Sequence, residues 1–217
     1  MLTVYGTLRS RTTRVVWTLE ELGLPYTREK VVFAASLGDP KAADAPLNTA
    51  SEAFLCVNPM GQLPALKDGD LCLAESAAIC FYVARKAGGP VAPASPAEDA
   101  EMLQWAFLAA SGVEPGAIEV LYTYMQGQAD TEAGRARIAA GLERLARPFA
   151  RIEAHLAGHD WLVGDRFTVA DILMAETVRY VTVAPGALDA WPVLKAWLAR
   201  CHARPAFQRM WAMRDTE

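Results

Sequence analysis

The segment from Asn58 to Ser76, NPMGQLPALKDGDLCLAES, constrains the fold of this chain more than any other stretch. It contains a short strand introduced by the Leu63-Pro64 pair, a tight Asp-Gly turn, and a second short strand that leads into an apolar helix. Because proline has no N–H to give to a sheet, Pro64 favours an edge or a ligand-facing bend at the start of its strand. The pattern therefore predicts a β-hairpin followed by a helix that begins at Ser76.

The same segment offers two main-chain binding features. Proline pushes the preceding residue into the extended region, which leaves the N–H and C=O of Leu63 as an outward-facing pair. A peptide ligand can pair with these groups as one more strand. The N–H groups at the start of a helix near Ser76 bind carboxylates. The pattern predicts a site for a small acidic peptide.

Composition excludes several classes of protein. The 217 residues are 53% hydrophobic and 21% charged, which is typical of a folded chain and excludes disorder. A net charge of −4 without a basic run argues against nucleic acid as a partner. No apolar run is long enough to span a membrane, and the N-terminus, MLTVYGTLRS, lacks the pattern of a signal peptide.

The cysteines favour a reducing compartment. The four of them show neither a C-x-x-C spacing nor a zinc-like grouping with the three histidines, so we expect no metal site. We expect them to be free and buried. With no leader and no membrane span, the chain is predicted to be cytoplasmic. These cysteines are Cys56, Cys72, Cys80 and Cys201.

The chain divides into two parts with different periodicity. Residues 1–87 alternate strands and helices in the order βαβ, then ββα, with the second strand expected over Tyr26 to Phe33 and a long exposed loop over Ala34 to Ser51. Residues 88–96, GGPVAPASP, form a linker. Residues 97–217 have helical periodicity throughout. The fold class is therefore an α/β domain followed by an all-α helical bundle.

Two local patterns lie within the helical part. Thr168 and Asp171 have the spacing of a capping box, in which each side chain bonds the main chain of the other residue at a helix start. Pro148 lies inside an apolar-periodic stretch and predicts a kink or a helix boundary.

This combination resembles the soluble glutathione transferases over essentially the whole chain. The resemblance rests on NPMGQLPAL…AES, on WTLEELGLPY from Trp17 to Tyr26, on the capping box and on the RCHARPAFQR ending. It implies a thioredoxin-like N-terminal domain, glutathione as cosubstrate, a homodimer and a role in detoxification. The loop over residues 34–51 is longer than the family usually carries.

The resemblance also assigns residues to glutathione. It implies a cis peptide bond before Pro64, and pairing of the Leu63 main chain with the cysteinyl part of the tripeptide. Ser76 matches the residue that holds the γ-glutamyl carboxylate, and Glu75 the residue that faces the ammonium group. Gln62 is expected to hold the glycyl end or the main chain.

The chemistry of the family requires a thiolate, which a hydroxyl donor and a helix N-terminus stabilise. The position of Ser10 matches the catalytic serine of the bacterial or theta-like serine type, and Thr12 is the competing candidate. Tyr5 is expected to be a core residue. No cysteine occurs in this turn, which argues against the cysteine-type relatives that form mixed disulfides.

The first long helix of the bundle is expected to line a pocket between the two domains for a hydrophobic electrophile. The candidates on its apolar faces are Trp105, Leu108, Ala109 and Tyr122. An aromatic stripe at helical spacing also occurs in an ordinary core, so both interpretations stay open.

The sequence is therefore most consistent with a glutathione transferase of the serine type that conjugates glutathione to a hydrophobic electrophile. Two alternatives remain open. One is a non-catalytic protein that binds glutathione or another ligand with the same fold. The other is a glutathione-dependent disulfide reductase that uses no cysteine of its own.

Overall fold

A four-stranded sheet organises the first part of the chain in this computed structural model, which describes all 217 residues. Its order is β2-β1-β3-β4, with β1 parallel to β2, β1 antiparallel to β3 and β3 antiparallel to β4. The mixed sheet follows the predicted order of elements. The strands are β1 (Leu2–Tyr5), β2 (Tyr26–Glu29), β3 (Ala65–Asp68) and β4 (Leu71–Ala74).

Three α-helices accompany the sheet in this part of the chain: α1 (Thr12–Leu22), α2 (Glu52–Leu55) and α3 (Ser76–Ala87). A glycine that directly follows a stretch of helical period predicts a helix end, and α1 does end at Gly23, which adopts a left-handed conformation with φ of 61°. Its N–H donates to carbonyls of the last turn. Helix α3 begins at Ser76, the predicted residue.

The second strand is shorter than predicted. It ends at Glu29, and the chain then forms a long loop with a 3₁₀ turn over Ala34–Ser36 and a single parallel bridge between Val32 and Asn48. Asn48 is fully buried, and its Nδ2 donates to the carbonyls of two prolines at 3.0 and 2.9 Å. The sequence predicted no conformation for the loop over residues 34–51. In the structure, the buried side-chain amide of Asn48 joins parts of this loop.

The rest of the chain is helical. Its elements are α4 (Pro96–Phe107), a π-helical turn (Leu108–Val113), α5 (Glu114–Met125), α6 (Glu132–Leu156), α7 (Val169–Val178), a 3₁₀ turn (Arg179–Val183), α8 (Pro192–His202) and α9 (Pro205–Asp215). The stretch around Pro148, where a kink or boundary was predicted, is one helix of 25 residues with the proline inside it. None of the helices combines the length and apolar character that crossing a bilayer requires.

The predicted capping box is present at the start of α7. The main-chain N–H of Thr168 donates to Asp171 Oδ2 at 2.9 Å, and both residues are fully buried. Asp171 Oδ1 also accepts from the main-chain N–H of Leu162 at 3.0 Å and from Nε1 of Trp197 at 3.1 Å. One carboxylate therefore ties three segments of the helical part together.

The chain forms two compact units that differ from the sequence-based division. Unit 1 comprises Met1–Ala92 with Pro205–Glu217, and unit 2 comprises Pro93–Arg204. Helix α9 was expected in the helical domain, but it packs on α1, where the rings of Phe207 and Trp17 lie 4.8 Å apart. Periodicity alone carries no information about which surface a terminal helix covers.

All four cysteines are free, as expected. Cys80 and Cys201 are buried, but Cys56 and Cys72 are exposed, which corrects the expectation of burial for these two. Cys72 lies on β4, one of the two edge strands of the sheet.

Candidate active site

One end of the sheet brings the predicted glutathione-binding segments together. Across the strands, Ala65 lies opposite Tyr5 on one side and opposite Ala74 on the other. Because β1 and β4 end at this row and β3 begins there, the turn carrying Ser10, the Leu63-Pro64 pair and the start of α3 all leave the same end of the sheet. Strand pairing thus places three segments distant in sequence beside each other.

Ser10 lies in the turn between β1 and α1 and is half-buried. Its hydroxyl donates to the carbonyl of Thr7 at 2.7 Å and accepts from the main-chain N–H of Thr12 at 3.2 Å. A further contact of 2.8 Å joins the hydroxyls of Ser10 and Thr12. The Ser10 hydroxyl is thus held by the Thr7 carbonyl and by the N–H and hydroxyl of Thr12, while the residue as a whole remains partly exposed.

Thr12 is fully buried, in contrast to Ser10. Its hydroxyl faces Gly6, where a Cβ atom would lie only 2.2 Å from Oγ1. Gly6 also has φ of 148°, so the close approach and the main-chain conformation both require glycine there. Thr12 is therefore a buried neighbour that contacts the Ser10 hydroxyl through its own hydroxyl and its main-chain N–H.

The Leu63–Pro64 peptide bond is cis, as the family resemblance implied. The Leu63 side chain is buried in a cluster with Val31 and Phe54, with Tyr5 packed against it. Tyr5, which was expected to be a core residue, is partly buried and packs against this core cluster. Since β3 begins only at Ala65, the main-chain groups of Leu63 take no part in strand pairing.

Asn58 stabilises the residues that precede Leu63. The sequence did not identify it as a candidate site residue. It is buried, and its Nδ2 donates to the carbonyl of Gln62 at 2.7 Å, while its Oδ1 accepts from the N–H of Met60 at 3.2 Å. The Gln62 residue is exposed. The Asn-Pro pair before the hairpin was the available signal, since asparagine commonly bonds nearby main chain in turns.

The start of α3 has no side-chain cap. Glu75 is the N-cap residue, and it makes no side-chain capping bond. Its main chain has φ of 65° and ψ of 111°, an unfavourable conformation for a residue with a Cβ. Ser76 follows as the first helical residue and is 5% exposed. The N–H groups of this twelve-residue helix thus carry positive potential without a side-chain cap.

Arg14 adds a buried cation next to Ser76. It lies on α1 and is 4% exposed, and its Nη1 donates to Ser76 Oγ at 3.3 Å. A guanidinium group can only donate, so the Ser76 oxygen accepts this bond and its hydrogen is available for another acceptor. A single arginine inside an apolar helix favours a structural ion-pair role when only the sequence is known, so the contact of Arg14 with Ser76 becomes apparent only in the structure.

The four electrophile-pocket candidates all lie in unit 2 and differ in exposure. Trp105 is 3% exposed, with its ring 4.8 Å from that of His155, and Ala109 is 2% exposed. Leu108 is half-buried at the start of the π-helical turn, and Tyr122 is 49% exposed on α5. The set thus contains two interior residues and two with accessible surface.

Comparisons with known proteins agree with this architecture. The family models "Glutathione S-transferase, N-terminal domain" and "Glutathione S-transferase, C-terminal domain" match residues 1–85 and 102–205. Glutathione S-transferase 3 of Zea mays is 35% identical, over 96% of this chain and 92% of its own length. Glutathione S-transferase GstB of Escherichia coli K12 is 31% identical over 97% of both chains.

A solved structure shares the fold at similar identity. The theta class glutathione S-transferase from Xanthomonas axonopodis pv. citri, with glutathione bound, superimposes with a TM-score of 0.79 at 31% identity, covering 96% of this chain and 95% of its own. The chain belongs to the glutathione S-transferase family and is an enzyme of that family. The predicted thioredoxin-like domain with an all-helical second domain is thereby confirmed.

Proposed function

We propose that this protein is a serine-type glutathione transferase, in which the Ser10 hydroxyl stabilises the thiolate of glutathione for attack on a hydrophobic electrophile. The observation that carries the proposal is the row of paired residues at one end of the sheet, from which the Ser10 turn, Leu63-Pro64 and Glu75-Ser76 all depart. These segments supply groups that are complementary to the thiol, the cysteinyl main chain and the γ-glutamyl end of glutathione.

Each part of glutathione has a complementary group in this arrangement. The main chain of Leu63 pairs with the cysteinyl residue in extended form. The γ-glutamyl carboxylate binds the α3 N-terminus and the Ser76 hydroxyl, and Arg14 donates to the oxygen of that hydroxyl. The exposed Glu75 carboxylate receives the ammonium group, and Gln62 faces the glycyl end.

The reaction needs a lowered thiol pKa. A free thiol of this kind has a pKa of about 8.5, so only a small share is thiolate at neutral pH. When glutathione is bound, the Ser10 proton turns from the Thr7 carbonyl to the sulfur, and this hydrogen bond favours the charged form and raises this share. The sulfur then bonds to the electrophilic carbon, the thiol proton passes to solvent, and the leaving group departs with its electron pair.

Ser10 is preferred over Thr12 because of exposure. The Thr12 hydroxyl is enclosed against Gly6, whereas Ser10 is half-buried and retains access to a ligand. We assign the Thr12 hydroxyl the supporting role of donating to Ser10, which strengthens Ser10 as a donor by cooperativity.

The electrophile and the assembly belong to the same proposal. Leu108 and Tyr122 have the accessible apolar surface that a hydrophobic electrophile requires, and Trp105 and Ala109 support them from the interior of unit 2. The family resemblance further implies a cytoplasmic location and a homodimer, and light scattering on the purified protein tests the dimer.

Substitution of the hydroxyls tests the assignment. Ser10→Ala is expected to lower turnover with a generic aryl halide by roughly ten- to a thousandfold, as for loss of one donor to a developing charge. Retention on a glutathione column is expected to persist. The matched variant Thr12→Val keeps shape without the hydroxyl and is expected to lose less activity than Ser10→Ala. Full activity in Ser10→Ala would contradict the proposal.

The same assays separate the alternatives. Glutathione retention by the wild-type protein without conjugation of any electrophile would indicate a ligand carrier. Turnover of a small disulfide in place of an aryl halide would indicate the reductase.

A further inference from the structure

The carboxylate of Glu217 is held by the turn that carries Ser10, 210 residues earlier in the chain. Its Oε2 accepts from the Thr7 hydroxyl and from the main-chain N–H of Leu8, both at 2.8 Å. Its Oε1 forms an ion pair with the guanidinium group of Arg28 on β2. The side chain of Glu217 is 6% exposed, so this carboxylate is largely withdrawn from water.

Thr7 transmits this contact to Ser10. Its hydroxyl, which donates to Glu217, accepts from the main-chain N–H of Arg9 at 3.2 Å. Its carbonyl accepts from the Ser10 hydroxyl at 2.7 Å. The segment from Gly6 to Arg11 belongs to neither strand nor helix, so its conformation depends on such contacts.

The segment that delivers Glu217 is itself anchored within unit 1. Helix α9 packs on α1 through Phe207 and Trp17, and Arg209 Nε lies 2.7 Å from Glu20 Oε2. The N–H of Glu217 also donates to the carbonyl of Arg214 at 3.3 Å, which fixes the last turn. A rigid anchor at this point restricts the turn, whereas a flexible tail would follow it.

We propose that Glu217 is a positioning residue, which holds the turn Thr7–Ser10 in the conformation that directs the Ser10 hydroxyl at the thiolate. This inference rests on the proposed role of Ser10. Since Leu63 and Ser76 lie outside the turn, loss of Glu217 affects the stabilisation of the thiolate more than the binding of the tripeptide.

The variant Glu217→Ala tests the proposal. We expect kcat to fall roughly five- to fiftyfold, since small misplacement of a catalytic group has effects of this order, while KM for glutathione changes less than about threefold. The pKa of bound glutathione, read from the pH profile of kcat, is expected to rise by about half a unit to one unit. Glu217→Gln is expected to be intermediate, because its amide oxygen still accepts from one donor of the turn.

A matched control separates positioning from general stability. Arg209→Gln removes an anchor of the same helix without touching Thr7 or Leu8. Because the Arg209 ion pair is mostly exposed, the variant is expected to lower the melting temperature by no more than Glu217→Ala does, and to leave the pH profile unchanged. Amide hydrogen exchange at Leu8 gives a readout independent of activity and is expected to accelerate in Glu217→Ala and not in Arg209→Gln.

A failure of the positioning role of Glu217 can be distinguished from a failure of the proposed function. Wild-type kcat and pH profile in Glu217→Ala, or an equal loss in Arg209→Gln, would overturn the positioning role even if Ser10→Ala is inactive. If Ser10→Ala keeps full activity, the proposed function fails, whatever the exchange rate at Leu8.

Discussion

Glu75 has a main-chain conformation with positive φ, which is unfavourable for a residue with a Cβ atom. Non-glycine residues with φ near 65° and an extended ψ cost of the order of 1–3 kcal/mol. The carboxylate is exposed and makes no capping bond to α3, so nothing local offsets the strain. Strain of this kind is commonly found where a ligand requires a particular main-chain geometry.

The substitutions Glu75→Gly and Glu75→Gln separate strain from charge. Glycine tolerates positive φ, so Glu75→Gly is expected to unfold at equal or higher urea concentration than wild type, yet to bind glutathione about tenfold more weakly. Glu75→Gln keeps the strain and loses the charge, so it is expected to bind weakly without gain in stability. Calorimetric titration and urea unfolding measure both quantities. Unchanged affinity in both variants would contradict the assignment of Glu75 to the ammonium group.

Arg14 offers a second prediction at the scale of one residue. Arg14→Met removes the donor to Ser76 and the buried positive charge, and is expected to raise the Kd for glutathione roughly tenfold. A glutathione analogue with an amide in place of the γ-glutamyl α-carboxylate lacks the charge that Arg14 favours. Its Kd is expected to differ little between wild type and variant. Equal losses for both ligands would mean that Arg14 supports only the fold.

At the scale of elements, the features that the sequence predicts are those that depend on residues a few positions apart in the chain. The hairpin, the glycine end of α1 and the Thr168–Asp171 capping box all follow from spacings of a few residues. The docking of α9 on α1 and the contact of Glu217 with Thr7 join residues about 200 positions apart, which no local pattern encodes.

A helix-start pattern in the sequence also precedes α4, and it was not among the predictions. The last linker residues, Ser95 and Pro96, begin a second capping arrangement: Ser95 Oγ accepts from the N–H of Glu98 at 3.1 Å, and Glu98 Oε2 accepts from that of Ala94 at 2.7 Å. The Glu98 oxygens also lie 2.7 and 2.6 Å from the guanidinium nitrogens of Arg166. The S-x-x-E spacing was visible in the sequence, but its Arg166 partner was not.

This arrangement predicts a defined pH dependence. The bonds from Arg166 and from the Ala94 N–H lower the pKa of Glu98 to about 2, below its usual 4.5. A carboxyl group with a depressed folded-state pKa stabilises the fold above the unfolded value and loses that contribution as pH falls from 4.5 towards 2. Because the pair is partly exposed, we expect about 1 kcal/mol.

Glu98→Gln measures this contribution. Its free energy of unfolding is expected to lie about 1 kcal/mol below that of wild type at pH 6, with the difference shrinking at pH 3. Glu119→Gln is the matched control, since Glu119 pairs with Arg144 at 2.8 Å on a more exposed surface. Its effect is expected to be less than half as large. A Glu98→Gln difference that stays constant with pH would refute the ion-pair explanation.

For the whole molecule, two buried titratable groups in unit 2 act on stability in opposite directions. Burial lowers the pKa of His202 to about 4, with the nearby Glu176 carboxylate opposing this shift and Arg179 adding to it. Burial raises the pKa of Asp171 to about 6 against the four hydrogen bonds that it accepts. Neither residue lies at the proposed glutathione site, so they report on stability alone.

The signs follow from proton uptake. Between pH 6.5 and 4 the unfolded chain protonates His202 and the folded chain does not, so acidification removes stability. Between pH 6 and 3.8 the folded chain holds a proton on Asp171 that the unfolded chain has released, so acidification adds stability. Each shift of about two units corresponds to about 3 kcal/mol, and the two nearly cancel.

The cancellation is tested by removing one group at a time. The free energy of unfolding of wild type minus that of His202→Gln is expected to fall as pH decreases from 6.5 to 4. The corresponding difference for Asp171→Asn is expected to rise as pH decreases from 6 to 4. Urea unfolding at half-unit intervals measures both, and taking differences removes the contribution of all other carboxylates. Parallel profiles for wild type and His202→Gln would mean that His202 protonates equally in both states, and that the helical unit has no internal compensation against acid.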